Sequence, residues 1–182
     1  MRRGSVGRSQ CHGRKLLTSF GFGALLCLAI AVGCAGLGRL GGGPLRISEL
    51  TGEGDGTRRA STRLVVDGLA SDQELRPMFA LSRYERAIQI DPTNPFAYLA
   101  LARHFADRLE PTRTLEYLDQ AELLLESQGL HSLRVEPHLV GLRGAALQAA
   151  GRTAEGAALL ARARDLAPSA WGDARLSPEE LR

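Results

Sequence analysis

The sequence predicts an all-α protein of stacked antiparallel helical hairpins, and three observations carry that prediction. Strong helix formers (Ala, Leu, Arg and Glu) dominate the second half of the 182-residue chain, while aromatic residues are only 5% and β-branched clusters are scarce. The stretch Tyr84 to Phe105, YERAIQIDPTNPFAYLALARHF, reads as helix, tight turn, helix. Tyr84, Ala87, Ile88 and Ile90 mark one apolar helical face, Asp91-Pro92 stops it, and Asn94-Pro95 starts a second helix as N-cap and first-turn proline. The pattern then recurs at a shift of 34, which pairs Leu64 with Tyr98, Gly68 with Ala102, Ala80 with Thr114, Tyr84 with Leu118, and Ala87 with Ala121.

The chain opens with basic residues from Arg2 to Lys15, continues with apolar ones from Leu16 to Val32, and reaches small residues around Cys34. This is the three-part layout of an export signal. Ala31-Val32-Gly33-Cys34 resembles the lipobox of bacterial lipoproteins, although alanine stands at Ala31 where leucine is commonest. The resemblance implies a thioether to diacylglycerol on Cys34, cleavage just before it, and acylation of the new amino terminus. A segment of 1–33 would then be lost, and acyl chains on Cys34 would bind the membrane. Two or three chains hold for good, because each buried methylene contributes about 0.8 kcal/mol. Two other readings stay open. Leu16 to Gly38 is a 23-residue run without charge, about 35 Å as a helix and long enough to span a bilayer uncleaved. A simple secreted product is the third. Thr18, Ser19 and five glycines dilute the run and disfavour the spanning helix. All three readings export the rest of the chain. The resemblance places it in the bacterial cell envelope, facing the periplasm. Ala35, where an aspartate favours the inner membrane in enterobacterial lipoproteins, favours the outer membrane.

Residues 34–56 read as a flexible tether, with five glycines between Ala35 and Pro44. Thr51 to Gly56, TGEGDG, reads as a loop leading into a helix, because it lacks the alternating ligands of a calcium loop. Charge is split along the chain. Arg2, Arg3, Arg8, Arg14 and Lys15 would leave with the signal, taking 23 basic residues to 18 against 20 acidic ones. The remaining −2 removes the case for nucleic-acid binding, which needs a net basic face. Cys11 and Cys27 precede Cys34, so one thiol would survive and no internal disulfide is expected.

Helices are expected near 57–70, 74–90, 95–108, 111–127, 134–150 and 153–166. Ser71 with Glu74 is a candidate capping box for the second, and Pro111 starts the fourth. A third copy of the pattern, Gly141 to Ser169, carries Gly144, Gly156, Leu160, Ala163 and Pro168 at a further shift of 42. The eight extra residues fall around Ser127 to Arg134. These positions resemble the tetratricopeptide repeat, a 34-residue helical hairpin, in which small residues let the two helices cross closely. Arg143 stands where that family usually has leucine, Gly156 replaces its alanine, and no proline closes the second unit. The resemblance implies about three hairpins stacked as a short α-solenoid over 57–170. Trp171 and the Ser177-Pro178-Glu179-Glu180 turn then cap its end within 171–182. Three hairpins are about the minimum for such a stack. A partner or a second copy in a homo-oligomer is therefore expected to complete it.

No nucleophile elbow, P-loop or dinucleotide fingerprint is present. His131 and His138, seven apart, read as two turns distant on one helical face, too far to share a metal, and as solvated or capping residues. Glu116, Asp119 and Glu122 read as an exposed helix face rather than an acid–base pair. No cofactor, metal or enzymatic activity is expected. The repeat resemblance implies instead a concave groove for a protein or peptide partner, lined by Phe96, Leu99, Arg103 and Asp107 in the second unit. His138, Ala145 and Gln148 line it in the third, with Phe96 as apolar anchor and Arg103 for a carboxylate. For the anchor, mass spectrometry of the native product is expected to show an acylated chain beginning at Cys34; an unmodified amino terminus retaining Met1 would overturn the lipobox reading.

Overall fold

The structure, a computed structural model, describes residues Gly42–Arg182. Cys34, the signal segment 1–33 and the first part of the tether lie outside the described residues. Among the described residues eight α-helices follow one another: α1 (Gly56–Gln73), α2 (Pro77–Ile90), α3 (Pro95–Asp107), α4 (Pro111–Ser127), α5 (Glu136–Ala149), α6 (Thr153–Leu166) and the short α7 (Pro168–Trp171) and α8 (Pro178–Leu181). A 3-10 turn at Ile47–Leu50 precedes them, and no strand occurs among the described residues. The six long helices lie within three residues of their expected bounds at each end.

The helices pair as hairpins α1–α2, α3–α4 and α5–α6. One lock repeats in each, pairing a small residue on the first helix with a bulkier one on the second. Gly68, Ala102 and Gly144 are buried opposite the buried Tyr84, Leu118 and Leu160. A Cβ at Gly68 would press into the Tyr84 ring, and at Gly144 it would meet the Gly156 carbonyl and Leu160 at 3.0 Å. The departures in the third unit are therefore accommodated, since Gly156 removes bulk where α6 crosses closest. Arg143 keeps the neighbouring hairpin in place by ion pairs to Asp119 (2.8 Å) and Glu122 (2.6 Å) on α4.

The turns inside the hairpins repeat too. Leu75, Leu109 and Gly151 take left-handed φ values of 59°, 57° and 82°. Each closes the preceding helix with the same two backbone bonds, the second running from Arg76, Glu110 and Arg152 to the carbonyls of Ser71, Phe105 and Leu147. Glycine suits this position; leucine is strained there. The expected capping box is not formed. Ser71 lies inside α1 and donates to the Asp67 carbonyl (2.9 Å), while α2 begins at Pro77, whose missing N–H suits a helix start.

Between hairpins, Asn94 caps α3 by accepting from the Phe96 N–H (3.1 Å) and donating to Ser61 on α1 (2.9 Å); Ser61 in turn donates to the Ala87 carbonyl on α2 (2.9 Å). Arg58 bonds Asp91, Thr93 and Gln128, so one guanidinium ties the ends of two hairpins to the start of α1. Asp55 in the expected loop caps α1 through the Arg58 N–H (2.8 Å).

Successive first helices touch, α1 to α3 and α3 to α5, and form one layer of the stack. Two further segments fold onto it. Residues 43–50, which composition assigns to the tether, form a strap: Leu45 and Ile47 are buried, and the Leu45 N–H bonds the Arg134 carbonyl (2.9 Å). At the other end Trp171 is fully buried against Gly141, as a cap on the last hairpin, and α8 packs on α1. Ser177 and Glu180 make the capping box of α8. The two ends meet where the Ser48 N–H donates to the Arg182 carbonyl at 2.8 Å.

Leu75 and Leu109 are 87% and 75% exposed, so their side chains gain little that offsets the backbone strain. Leu75→Gly and Leu109→Gly are each expected to stabilise the fold by about 0.5–1 kcal/mol in urea unfolding. Gly68→Ala is expected to cost about 1–3 kcal/mol in the same assay, because the crossing has no room for a methyl group.

Candidate functional site

With the strap and α8 in place, the layer of first helices is open at two adjoining clefts. The larger, of about 410 Å³, lies between α3, α5 and the C-terminal segment and is lined by Arg103, Ala145, Gln148, Trp171 and Leu176, among others. The smaller, of about 280 Å³, holds Asp72, Leu75, His104 and Arg108; Asp107 and Arg175 line both. Leu109 and Leu75, the two strained leucines, stand one at each cleft.

Beneath them lies a charged network that the helices assemble from four places. Asp72 comes from the last turn of α1 and Tyr84 from the middle of α2. Arg103 and Asp107 sit four apart on α3, hence on one face, and bond at 2.6 Å. Arg103 also pairs with Asp72, which accepts from the Tyr84 hydroxyl (2.9 Å) and lies 3.0 Å from His104 Nδ1. Arg175 of the C-terminal segment reaches the other oxygen of Asp107 at 3.0 Å. Arg103 is 1% exposed and His104 2%, so a charge on this scale of burial persists only because it is paired.

Burial pushes the Asp72 carboxyl upward, but the His104 hydrogen bond and the Arg103 charge together outweigh it and hold the group below the ordinary carboxylate range. Tyr84 is raised well above a free phenol, chiefly by burial, so it stays protonated and donates. Arg103 Nε, His104 Nε2 and Trp171 Nε1 are buried without a hydrogen-bond partner among the described residues, and all three belong to residues lining the clefts. The clefts thus combine apolar walls with buried N–H donors at Arg103 and Trp171. Among the described residues, no three His, Cys, Asp or Glu groups come together as a metal site.

Of the residues expected to line the groove, Arg103, Asp107, Ala145 and Gln148 line the larger cleft. Arg103 does so from below, already paired, and is not a free cation awaiting a ligand. Phe96, Leu99 and His138 do not line either cleft; they are 7%, 0% and 0% exposed. The reason is that α3 is buried nearly all round, at ten of its thirteen residues, between two hairpins and the folded-back ends. Phe96 is therefore a core residue, not an anchor for a ligand. His131 is exposed in the loop before α5 and shares no helical face with His138. His138 is neither solvated nor a cap; its Nε2 lies 2.9 Å from the Leu45 carbonyl and fixes the strap. Burial drives its pKa down to about 4, with the bond to Leu45 opposing, so the neutral ring donates.

Asp72, His104, Trp171 and Arg175 were not legible as groove residues. The adjacent Arg103 and His104 on an otherwise apolar helix were the available signal, since such a helix must bring its polar residues acidic partners. Comparison with protein-family models, with curated proteins and with solved structures found no match.

Asp72→Ala is expected to cost about 3–5 kcal/mol, because Arg103 would lose one of its buried partners. His138 binds its proton less tightly folded than unfolded. Its contribution to stability is complete above pH 6.5, the ordinary value, and falls as pH drops toward 4. The urea midpoint is expected to decline over that window, and His138→Gln is expected to flatten the decline.

Proposed function

We propose that this protein is a lipid-anchored adaptor of the bacterial cell envelope, held to the membrane by acyl chains on Cys34 and recognising a protein partner on its concave helical face. The observation that carries the reading is the larger cleft, where four residues expected from the repeat pattern line one opening of about 410 Å³ beside buried donors. Its size falls within the range of about 300–1,000 Å³ typical of binding sites. The paired state of Arg103, Asp72 and Asp107 and the protonated Tyr84 support a site that binds and holds, without a reactive group. The envelope location rests on the basic, apolar and small-residue order of the first 34 residues and on the outward favour of Ala35.

A second reading is a fixed subunit of a larger envelope assembly, such as one for secretion or motility. It is favoured by Met78 and Phe79, 68% and 67% exposed on α2, beside the exposed Leu75. An array that packs permanently through such residues exchanges no ligand.

The two are separated by gentle capture from membranes. The intact chain, Cys34→Ala, the cleft variant Gln148→Arg with Ala149→Arg, and the surface variant Met78→Asp with Phe79→Asp are compared. Gln148 and Ala149 are exposed at the cleft and can be changed without breaking the buried network. The adaptor reading expects the cleft variant to lose the captured partner and Cys34→Ala to lose the membrane. Capture that ignores the cleft variant and fails with the surface variant would replace it by the second reading.

A further inference from the structure

The C-terminal segment is held in two unequal ways. Up to Trp171 it belongs to the core: the indole is fully buried and lies so close to Gly141 that no side chain fits between them. After it, Gly172 and Asp173 are exposed, and Ala174 takes a φ of 63°, a conformation unfavourable to any residue with a Cβ. Beyond this strained joint, two buried leucines, Leu176 and Leu181, do most of the holding. The polar ties are few. Arg175 pairs with Asp107, Gln73 reaches Glu179 at 3.5 Å, and the Ser48 N–H meets the Arg182 carbonyl.

What lies on the layer of first helices there has the form of a bound peptide that happens to be covalently attached. Its leucines are five positions apart, and between them Ser177-Pro178-Glu179-Glu180 begins a helix that supplies its own cap. The Ser177 N–H donates to the Glu180 carboxylate at 2.8 Å, and the Glu180 N–H donates back to Ser177 Oγ at 3.2 Å. A turn pre-organised in this way loses little freedom on docking, which favours tight seating from a short segment.

We infer that the face of this layer beside α1 is a docking surface whose partner is a segment of this same chemistry: two leucines five apart, flanking a Ser/Thr-Pro-Glu-Glu helix start. Residues Gly172–Arg182 are its resident occupant, hinged between Gly172 and Ala174. This rests on the adaptor reading and names the features by which a partner is recognised. A resident joined by so short a hinge acts at an effective concentration on the order of millimolar. It excludes weak guests and yields to a partner that binds more tightly. Its departure also removes Ala174, Arg175 and Leu176 from one wall of the larger cleft, so the two openings become one groove.

Hydrogen exchange on the full chain tests the hinge. The amides of Ser48 and Arg182 are expected to exchange by a local opening, roughly 100-fold faster than those of α3 and insensitive to low urea. If they exchange only together with α3, through global unfolding, the inference is overturned. Peptide binding tests the surface. A synthetic peptide of the sequence Ala174 to Arg182, ARLSPEELR, is titrated into the full chain and into Leu181→Ala, with the emission of Trp171, the single tryptophan, as readout. Leu181→Ala is expected to bind it roughly tenfold or more tightly than the unaltered chain, since the resident is loosened. The same peptide with Leu176→Ser and Leu181→Ser is expected not to bind. A folded Leu181→Ala that ignores the peptide overturns the inference; should that variant fail to fold, hydrogen exchange on the unaltered chain decides. Membrane partners that depend on Gln148 and Ala149 but are not displaced by the peptide would sink this inference and leave the adaptor reading standing.

Discussion

A guanidinium taken out of water governs the centre of this molecule. Arg103 lies buried on a mostly apolar helix, and a charge in that position is tolerated only with carboxylates brought to it. Asp72 arrives from α1 and Asp107 from the next turn of α3, while Tyr84 and His104 satisfy the rest of Asp72 and Arg175 satisfies the rest of Asp107. One residue thereby fixes how the first hairpin sits on the second and, through Asp107, where the C-terminal segment crosses α3. The apolar contacts supply the larger part of the driving force, but they are non-directional. The buried pairing admits one arrangement of the same helices.

The hairpins themselves were readable because their signals are local. Proline at the start of α3, α4 and α7 acts within one turn of helix, and the small residues at the crossings lie within one hairpin and recur with it. Even the eight-residue insertion left its mark, as α4 and α5 keep their register on either side of it. The start of α2 was misplaced by three residues because a Ser–Glu pair three apart resembles a cap wherever it falls. Ser71 instead bonds back to its own helix, and Pro77 was the better signal.

The groove was less legible, for a physical reason. A repeat pattern describes how each unit meets the next and says nothing of what else the chain does with the inner surface. Leu45 and Ile47 sit beside glycines in a stretch whose composition reads as tether, and two apolar residues are too few to show a period. Leu176 and Leu181 are equally inconspicuous. Yet all four are buried, Leu45 takes the His138 bond through its carbonyl, and Phe96, Leu99 and His138 are interior rather than lining. What remains of the expected groove is the opening between α3, α5 and the C-terminal segment, around Ala145 and Gln148.

The strap has a mechanical meaning. A pull on the chain from its amino-terminal side reaches residues 43–47 before α1, so the load falls first on the Arg134 contacts to Gly43 and Glu49 and on the bond from His138 to the Leu45 carbonyl. Next in line is Ser48, whose bond to Arg182 passes the strain to the opposite terminus. Traction from the amino-terminal side is thus divided between α5, which carries His138, and the C-terminal segment, reached across a single hydrogen bond.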